Sequence, residues 1–394
     1  MHLAVVELHL VDLRLVAPLE TSTGRRDRRP VVLVHLVADD GCEGWGECDA
    51  LDEPTYTAEY AAGAAAVLAE HLVPRLLAGG SLADDDPVGA GLERLAAVRG
   101  HAMAKAALEM ALLDLELRRS GLSLAAFLGA SSAAVPAGAT VSLGEPAAVA
   151  GAVDAALAAG YERIKVKVAP GRDVASLREL RRAHPRLALV ADANGAYRLD
   201  DPAHRRALLE IDELGLLALE QPLRAGDLVG HAELAAALVT PIVLDESVEG
   251  PDDLDAALAL GALDGLSVKP GRLGGILAAR RAHDVCLAAG LHLCVGGMFE
   301  TALARAAHLA VAALPGFDLP GDLGASDRYF APDLSAPHVL IGGMLAVPDG
   351  PGIGRAPDPG ALAAATRCVA RWRAGEAPGP LSWSAAAHRF DASA

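Results

Sequence analysis

Six short runs decide how this chain folds: RIKVKV at 163–168, LALVADAN at 187–194, LALEQP at 217–222, PIVLDES at 241–247, GLSVKP at 265–270 and HLCVGG at 292–297. Each is apolar or β-branched and ends in a polar or glycine-containing turn. Their starts lie 24, 30, 24, 24 and 27 residues apart. Between them stand Ala/Leu-rich amphipathic segments such as VASLRELRRAH and ILAARRAHDVCLAAG. Strands alternating with helices at this period predict parallel βαβ units. VPAGATVSLG at 135–144 supplies an earlier strand, and GFDLPGDL at 316–323 is a candidate eighth. Eight such units close as a barrel. An open doubly wound sheet is the alternative, but no Gly-rich nucleotide loop follows any strand.

Numbering the strands from 135, the polar residues at their C-terminal ends are the informative ones. Lys165 and Lys167 end the second, Asp192 with Asn194 the third, and Glu220 the fourth. Asp245 and Glu246 end the fifth, and Lys269 ends the sixth. Barrel active sites sit at this end of the strands. Strands two and six are diametrically opposed in a ring of eight, with the three acids between them. Three carboxylates suit a hard octahedral ion, Mg²⁺ or Mn²⁺. A substrate carboxylate on such an ion becomes an enediolate when its α-proton leaves, and the ion holds the growing charge. Lys165 and Lys167, two apart on one strand, both point inward. Their mutual repulsion, with the nearby cation, is expected to depress the pKa of one of them, making a base.

A single acid at a strand end is usually a helix cap, and Asp245-Glu246-Ser247 reads equally well as a capping run. A lone K-x-K is weaker still. Five such residues closing five successive strands at one face are hard to attribute to surface decoration. Asn194 reads either as a turn former or as a residue behind the ligands, and is counted among the candidate substrate contacts. Glu246 reads as a cap or as a partner orienting a lysine or ligand.

The rest of the chain frames this region. At 394 residues and 52% hydrophobic it can hold a barrel and a smaller domain. Residues 2–15 and 31–38 alternate like paired strands, and helices are expected over 56–77 and 100–119. We therefore place an α+β capping domain at 1–130, completed by part of the C-terminal segment, the barrel at 131–335, and a C-terminal segment at 336–394 with a mobile tail from Gly375. The net charge of −17 argues against nucleic acid or anionic lipid as partners. The one basic cluster, Arg25, Arg26, Arg28 and Arg29, is expected in a solvated loop, with the drawing in of an anionic substrate as the second reading. Five cysteines without a CxxC pair fit a reduced compartment. No stretch reads as a membrane span and the N-terminus reads as a strand, so a cytoplasmic location is expected, with a homo-oligomer as the expected assembly.

These motifs resemble the enolase superfamily, in its muconate-lactonising-enzyme subgroup. RIKVKV is similar to that subgroup's K-x-K strand, and VADANGAY, LALEQPL, IVLDESV and LSVKPGRLGG to its ligand-bearing and second-lysine strands. Residues 296–330 and 100–118 narrow the resemblance to the o-succinylbenzoate synthase / N-succinylamino acid racemase family. It extends from the N-terminus to PGIGR at 351–355 and implies a modified TIM (β/α)7β barrel with an N-terminal capping domain. It also implies Lys167 as the acid/base lysine, Lys165 as its support, Lys269 as the opposing lysine, and Asp192, Glu220 and Asp245 as Mg²⁺ ligands.

By the same resemblance, the Thr21–Arg29 and ECDALDEPTY segments would close over a small carboxylate substrate, with Leu51 and Tyr56 as contacts. Thr140 on the first strand and Met298 after the seventh would also touch it. Where the family shows E-T-G-x-G-R, this chain has Glu300-Thr301-Ala302-Leu303-Ala304-Arg305, and the two added methyls are expected to tighten the pocket for the substrate's tail. The implied activities are syn dehydration of 2-succinyl-6-hydroxy-2,4-cyclohexadiene-1-carboxylate in menaquinone biosynthesis, or racemisation of N-succinylamino acids, or both. A non-catalytic ligand-binding barrel is the reading from another class.

Overall fold

The computed structural model describes residues 1–21 and 24–373, and the side chains of all of these except residues 18–21 and 24–26. The expected mobile tail from Gly375 lies outside the described residues.

The chain begins with β1 (Leu3–Thr21), β2 (Gly24–Ala38) and β3 (Glu43–Cys48). Leu8 pairs with Val34 and Leu10 with Val32, so their alternate apolar residues face one side. That side packs on the helix Ala102–Ser120, most of whose residues are buried. Contact is close because Gly44 and Gly46 stand in β3. A Cβ at Gly46 would lie 2.0 Å from the carbonyl oxygen of Ala107.

The expected arginine-rich loop is instead a continuation of the hairpin. Residues 24–29 are the start of β2, in register as far as Thr21 with Gly24. The hairpin does not hang free: the amide of Val16 donates to Tyr329 O at 2.9 Å. Charge in the strand is satisfied locally, since Arg28 pairs with Asp12 at 2.6 Å. Buried Arg29 donates to the carbonyls of Pro30, Ala50 and Asp49 at 2.7, 2.5 and 3.0 Å.

Contrary to the expectation that no stretch reads as a span, the helical run Ala61–Ala78 is long and apolar enough to cross a bilayer by length and composition. Its buried residues Ala61, Ala64, Ala65, Leu68, Leu72 and Leu76 belong to the cap's apolar core, and it carries Glu70 and Arg75. It has the pattern of a core helix.

The run at 135 divides in two. β4 (Ala134–Pro136) is followed after one residue by β5 (Gly138–Val141). β5 opens a parallel series with β6 (Arg163–Lys167), β7 (Ala188–Asp192), β8 (Ala218–Glu220), β9 (Ile242–Leu244), β10 (Gly265–Val268) and β11 (His292–Val295). These seven pair in strict sequential order, as right-handed βαβ connections dictate. The eighth position is filled by GFDLPGDL without regular strand pairing. Leu319 and Asp322 donate to Leu293 O and Val295 O at 3.0 and 2.9 Å, while Gly321 bridges to Ala137 beside β5. The ring therefore closes through single contacts. A Cβ at Gly321 would lie 2.4 Å from Val295 O, which explains the glycine.

β12 (Leu340–Ile341) and β13 (Met344–Ala346) pair with each other, and β13 also with β4. Finally β14 (Thr366–Arg373) returns to the cap and pairs antiparallel with β1.

Candidate active site

Parallel registration of the barrel strands brings their C-terminal residues to one level: Lys167 pairs with Asp192, and Asp192 with Glu220. Every strand-end residue singled out in the sequence meets at this mouth. Lys165 is almost fully buried, and its Nζ lies 2.9 Å from both Asp192 Oδ2 and Glu220 Oε1. Lys167 Nζ lies 2.7 Å from Asp192 Oδ2. Both lysines do point inward, as the strand alternation requires.

Across the mouth, Lys269 Nζ donates to Asp245 Oδ2 at 2.8 Å. A Cβ at Gly296 would lie 2.5 Å from Cε of Lys269, so a glycine leaves room for the lysine stem. Asn194 stands between Lys167 and Glu246. It adopts a left-handed turn (φ 44°), while Oδ1 accepts from Lys167 at 2.7 Å and Nδ2 donates to Glu246 at 2.7 Å. Glu246 thus orients the partner of a lysine. Its Oε2 is buried without a hydrogen-bond partner.

The capping domain reaches into this centre. Tyr56 accepts from Lys269 Nζ at 2.6 Å and donates to Asp245 Oδ2 at 2.8 Å. Lys269 also stands over its ring, 4.8 Å from the centroid. One cavity is lined by Leu51, Tyr56, Thr140, Lys165, Lys167, Asn194, Lys269 and Met298 together. The family-derived contact residues are therefore all brought to one space. Ala302 and Ala304 are not among its walls. Both are fully buried, and their amides donate to Asp333 and Glu47. The expected tightening of a tail pocket is not what these methyls do; they sit where cap and barrel dock.

Sequence reading missed several walls and supports. Asp322 contacts Lys165 and was discoverable, since it is the polar residue closing the eighth run. Arg272, three residues after Lys269, pairs with Asp245 Oδ1 at 2.6 Å and donates to Tyr56 at 2.8 Å. Gln221 accepts from the amides of Asp245 and Ser247 at 2.9 and 3.2 Å, fixing the loop after β9. Leu15, Phe299 and Tyr329 line the cavity with no local sequence signal, whereas Arg28 and Arg29 belong to the Thr21–Arg29 segment expected over the substrate and Arg305 ends the quoted Glu300–Arg305 motif.

The electrostatics follow from burial. It opposes ionisation of all three acids, yet Asp192 is held well below its usual range by Lys165 and Lys167, and Asp245 by Arg272 and Lys269. At Glu220 burial prevails over Lys165 and the carboxyl is pushed up. Lys167 is under opposing influences. Burial and Lys165 push its ammonium down, but Asp192 and Glu220 outweigh them and the net shift is upward. Lys165 is likewise raised against its burial, chiefly by Asp192. The centre is acid-rich, and Lys165 and Lys167 are held charged by carboxylates that share one buried space.

Would a divalent ion fit? Asp192, Glu220 and Asp245 are 1%, 1% and 0% exposed and present only oxygen donors. A cationic Nζ already lies within 3 Å of two of them. Hard oxygen donors around a point of positive charge match Mg²⁺ or Mn²⁺. The residues fit such an ion.

A capped barrel with acids closing its third to fifth strands and lysines on its second and sixth defines a class of barrel enzymes. Residues 148–361 match the family model described as enolase C-terminal domain-like, and residues 5–129 that of the mandelate racemase / muconate lactonizing enzyme N-terminal domain. An N-succinylamino acid racemase from Amycolatopsis sp is 46% identical over 361 residues, covering 91% of this chain and 96% of that one. An o-succinylbenzoate synthase from Geobacillus stearothermophilus is 42% identical over 356 residues, covering 89% and 92%. A solved structure of a probable mandelate racemase from Alicyclobacillus acidocaldarius superposes with a TM-score of 0.88 at 40% identity, covering 95% of this chain and 100% of that one. The chain belongs to the enolase superfamily, in the o-succinylbenzoate synthase / N-succinylamino acid racemase family of its muconate-lactonising-enzyme subgroup.

Proposed function

We propose that the protein is an o-succinylbenzoate synthase that also racemises N-succinylamino acids, with Lys167 and Lys269 as its two proton-handling groups. One observation carries this reading: the two lysines close strands four apart in an eight-position ring, yet line one cavity above Asp192, Glu220 and Asp245. Those three carboxylates would hold Mg²⁺, or Mn²⁺ in its place. When bound, the ion would offset the charge that develops on the substrate carboxylate as the α-proton leaves.

In dehydration, Lys167 Nζ takes the α-proton and the C–H pair enters the enediolate. The same ammonium then returns the proton to the hydroxyl as its C–O bond breaks, so water leaves from the same face. Asn194 and Asp192 aim that ammonium. Charge taken up from Asp192 by the ion would remove the main contact now holding Lys167 protonated. Lys269, held by Tyr56 and Asp245, stays a cation beside the ring that becomes aromatic.

Racemisation uses the same residues differently. A proton removed on one face by one lysine is replaced on the other face by its opposite. The opposition of Lys167 and Lys269 is what favours this second activity.

The test assays the purified protein in Mg²⁺ with 2-succinyl-6-hydroxy-2,4-cyclohexadiene-1-carboxylate and with single enantiomers of N-succinylamino acids. Turnover of both, abolished in Lys167→Ala, is expected. Binding without turnover of either would identify a ligand-binding barrel instead.

A further inference from the structure

The face of the cap sheet turned away from helix Ala102–Ser120 carries a cluster that the barrel chemistry does not use. Glu7 and His9 stand two residues apart on β1, so their side chains leave the same face. The register places His35 of β2 directly opposite Glu7. Glu7 Oε2 consequently lies 3.1 Å from His9 Nε2 and 3.0 Å from His35 Nδ1, and the three atoms all fall within 4.8 Å of one another.

The surroundings fix the three groups. The His35 ring is stacked on Trp45, with centroids 4.0 Å apart and planes 10° apart. Trp45 also flanks His9 at 5.6 Å. Arg371 on β14 holds the other oxygen of Glu7, which orients the carboxylate and leaves Oε2 toward the imidazoles. Glu43 Oε2 stands 3.2 Å from His35 Nε2.

We propose that Glu7, His9 and His35 form a second metal site, on the capping domain, that takes Zn²⁺ rather than Mg²⁺. Two imidazole nitrogens and one carboxylate oxygen are a borderline donor set that suits zinc, whereas Mg²⁺ prefers oxygen throughout. Zinc-to-ligand bonds of about 2.0–2.1 Å in a tetrahedron put ligand atoms about 3.3 Å apart. The observed 3.0 and 3.1 Å from Glu7 lie close to that, and the two imidazoles, within 4.8 Å of each other, need only turn toward a shared ion. The fourth position falls to water.

Protonation agrees with this geometry. Hydrogen bonds from His35, Arg371 and His9 outweigh burial and hold Glu7 near a pKa of about 2, so it is ionised. Burial pushes His9 down, toward the neutral imidazole a metal needs. Access is from the rim, where the side chains of Glu43 and Arg371 are 56% and 53% exposed. None of the three ligands lines the barrel cavity, so the site stands whatever reaction the barrel performs. An ion there would rivet β1 to β2 below the part of the hairpin whose Leu15, Arg28 and Arg29 wall the cavity.

The test uses the full chain, stripped by chelator and returned to excess Mg²⁺. Zn²⁺ is titrated calorimetrically into the wild type and into His9→Ala/His35→Ala, and Co²⁺ is titrated with visible spectroscopy. The wild type should take up one more equivalent of Zn²⁺ than the variant. It should show the d–d bands of tetrahedral Co²⁺ that the variant lacks, and gain several degrees in Tm with Zn²⁺ where the variant gains none. Equal uptake by both proteins overturns the proposal. So does a thiolate-to-cobalt charge-transfer band, which would assign the ion to cysteine. Should the double variant not fold by circular dichroism, His35→Gln is the second variant and must lose the same equivalent.

Discussion

The hydroxyl of Tyr56, carried by the capping domain, lies 2.6 Å from Nζ of Lys269 at the end of the sixth barrel strand. The same hydroxyl donates to Asp245 and accepts from Arg272. Burial and Asp245 hold the phenol well above its ordinary pKa, so it stays protonated. Tyr56→Phe removes these bonds while keeping the ring under the ammonium. One hydrogen bond to a charged group is worth about 1.5–3 kcal/mol, roughly a tenfold to hundredfold rate effect. The loss is expected for proton exchange on the face served by Lys269 and not on the face served by Lys167. Equal slowing of both N-succinylamino acid enantiomers in D₂O would refute it.

The two lysines themselves make a sharper prediction. In D₂O, Lys269→Ala should still exchange the α-hydrogen of one N-succinylamino acid enantiomer, and Lys167→Ala that of the other, because each remaining lysine reaches one face. Neither variant should racemise. Lys269→Arg keeps a cation and should retain part of the dehydration that Lys167→Ala loses. Deuterium uptake followed by NMR reads the outcome, and exchange of the same enantiomer by both variants would mean the lysines are not opposed.

Asp192→Asn, Glu220→Gln and Asp245→Asn should each reduce turnover by on the order of 10³-fold or more, with the far-ultraviolet circular dichroism unchanged because the side chains face the mouth. Excess chelator should do the same to the wild type, and Mg²⁺ should restore it. Calorimetry should find Mg²⁺ binding lost in Asp245→Asn. Full turnover in chelator contradicts the assignment.

Glu109 supplies a prediction about stability. It sits in the cap helix and accepts from the amide of Leu277 at 3.2 Å, at the start of the barrel helix Ile276–Ala288. Burial pushes its carboxyl up from 4.5 to about 7. A raised folded pKa means that its stabilisation is complete below the unfolded value near 4.5 and is lost as pH rises through about 7. The shift corresponds to about 3 kcal/mol. Glu109→Gln keeps an acceptor and cannot ionise. Its stability relative to wild type should therefore improve between pH 5 and pH 8, as measured by urea unfolding at both values. A constant difference across that range would show that the carboxyl does not titrate there.

What the sequence determined by itself was whatever repeats at short range. Strand runs at a 24-to-30-residue period, each closed by a polar residue, specified the parallel barrel and the level at which Lys165, Lys167, Asp192, Glu220, Asp245 and Lys269 meet. This works because strand pairing and right-handed crossover fix where a strand end goes with no knowledge of the rest. Tertiary structure alone decided the contacts between distant segments. Tyr56 meets Lys269 across 213 residues, β14 completes the sheet beside β1, and the arginine run became strand because β1 offered it a partner. The direction of the Lys167 shift was likewise undecidable from spacing. Repulsion between two lysines can be read along one strand, but the stronger pull of Asp192 comes from the neighbouring strand, at a distance of 2.7 Å that only the folded chain sets.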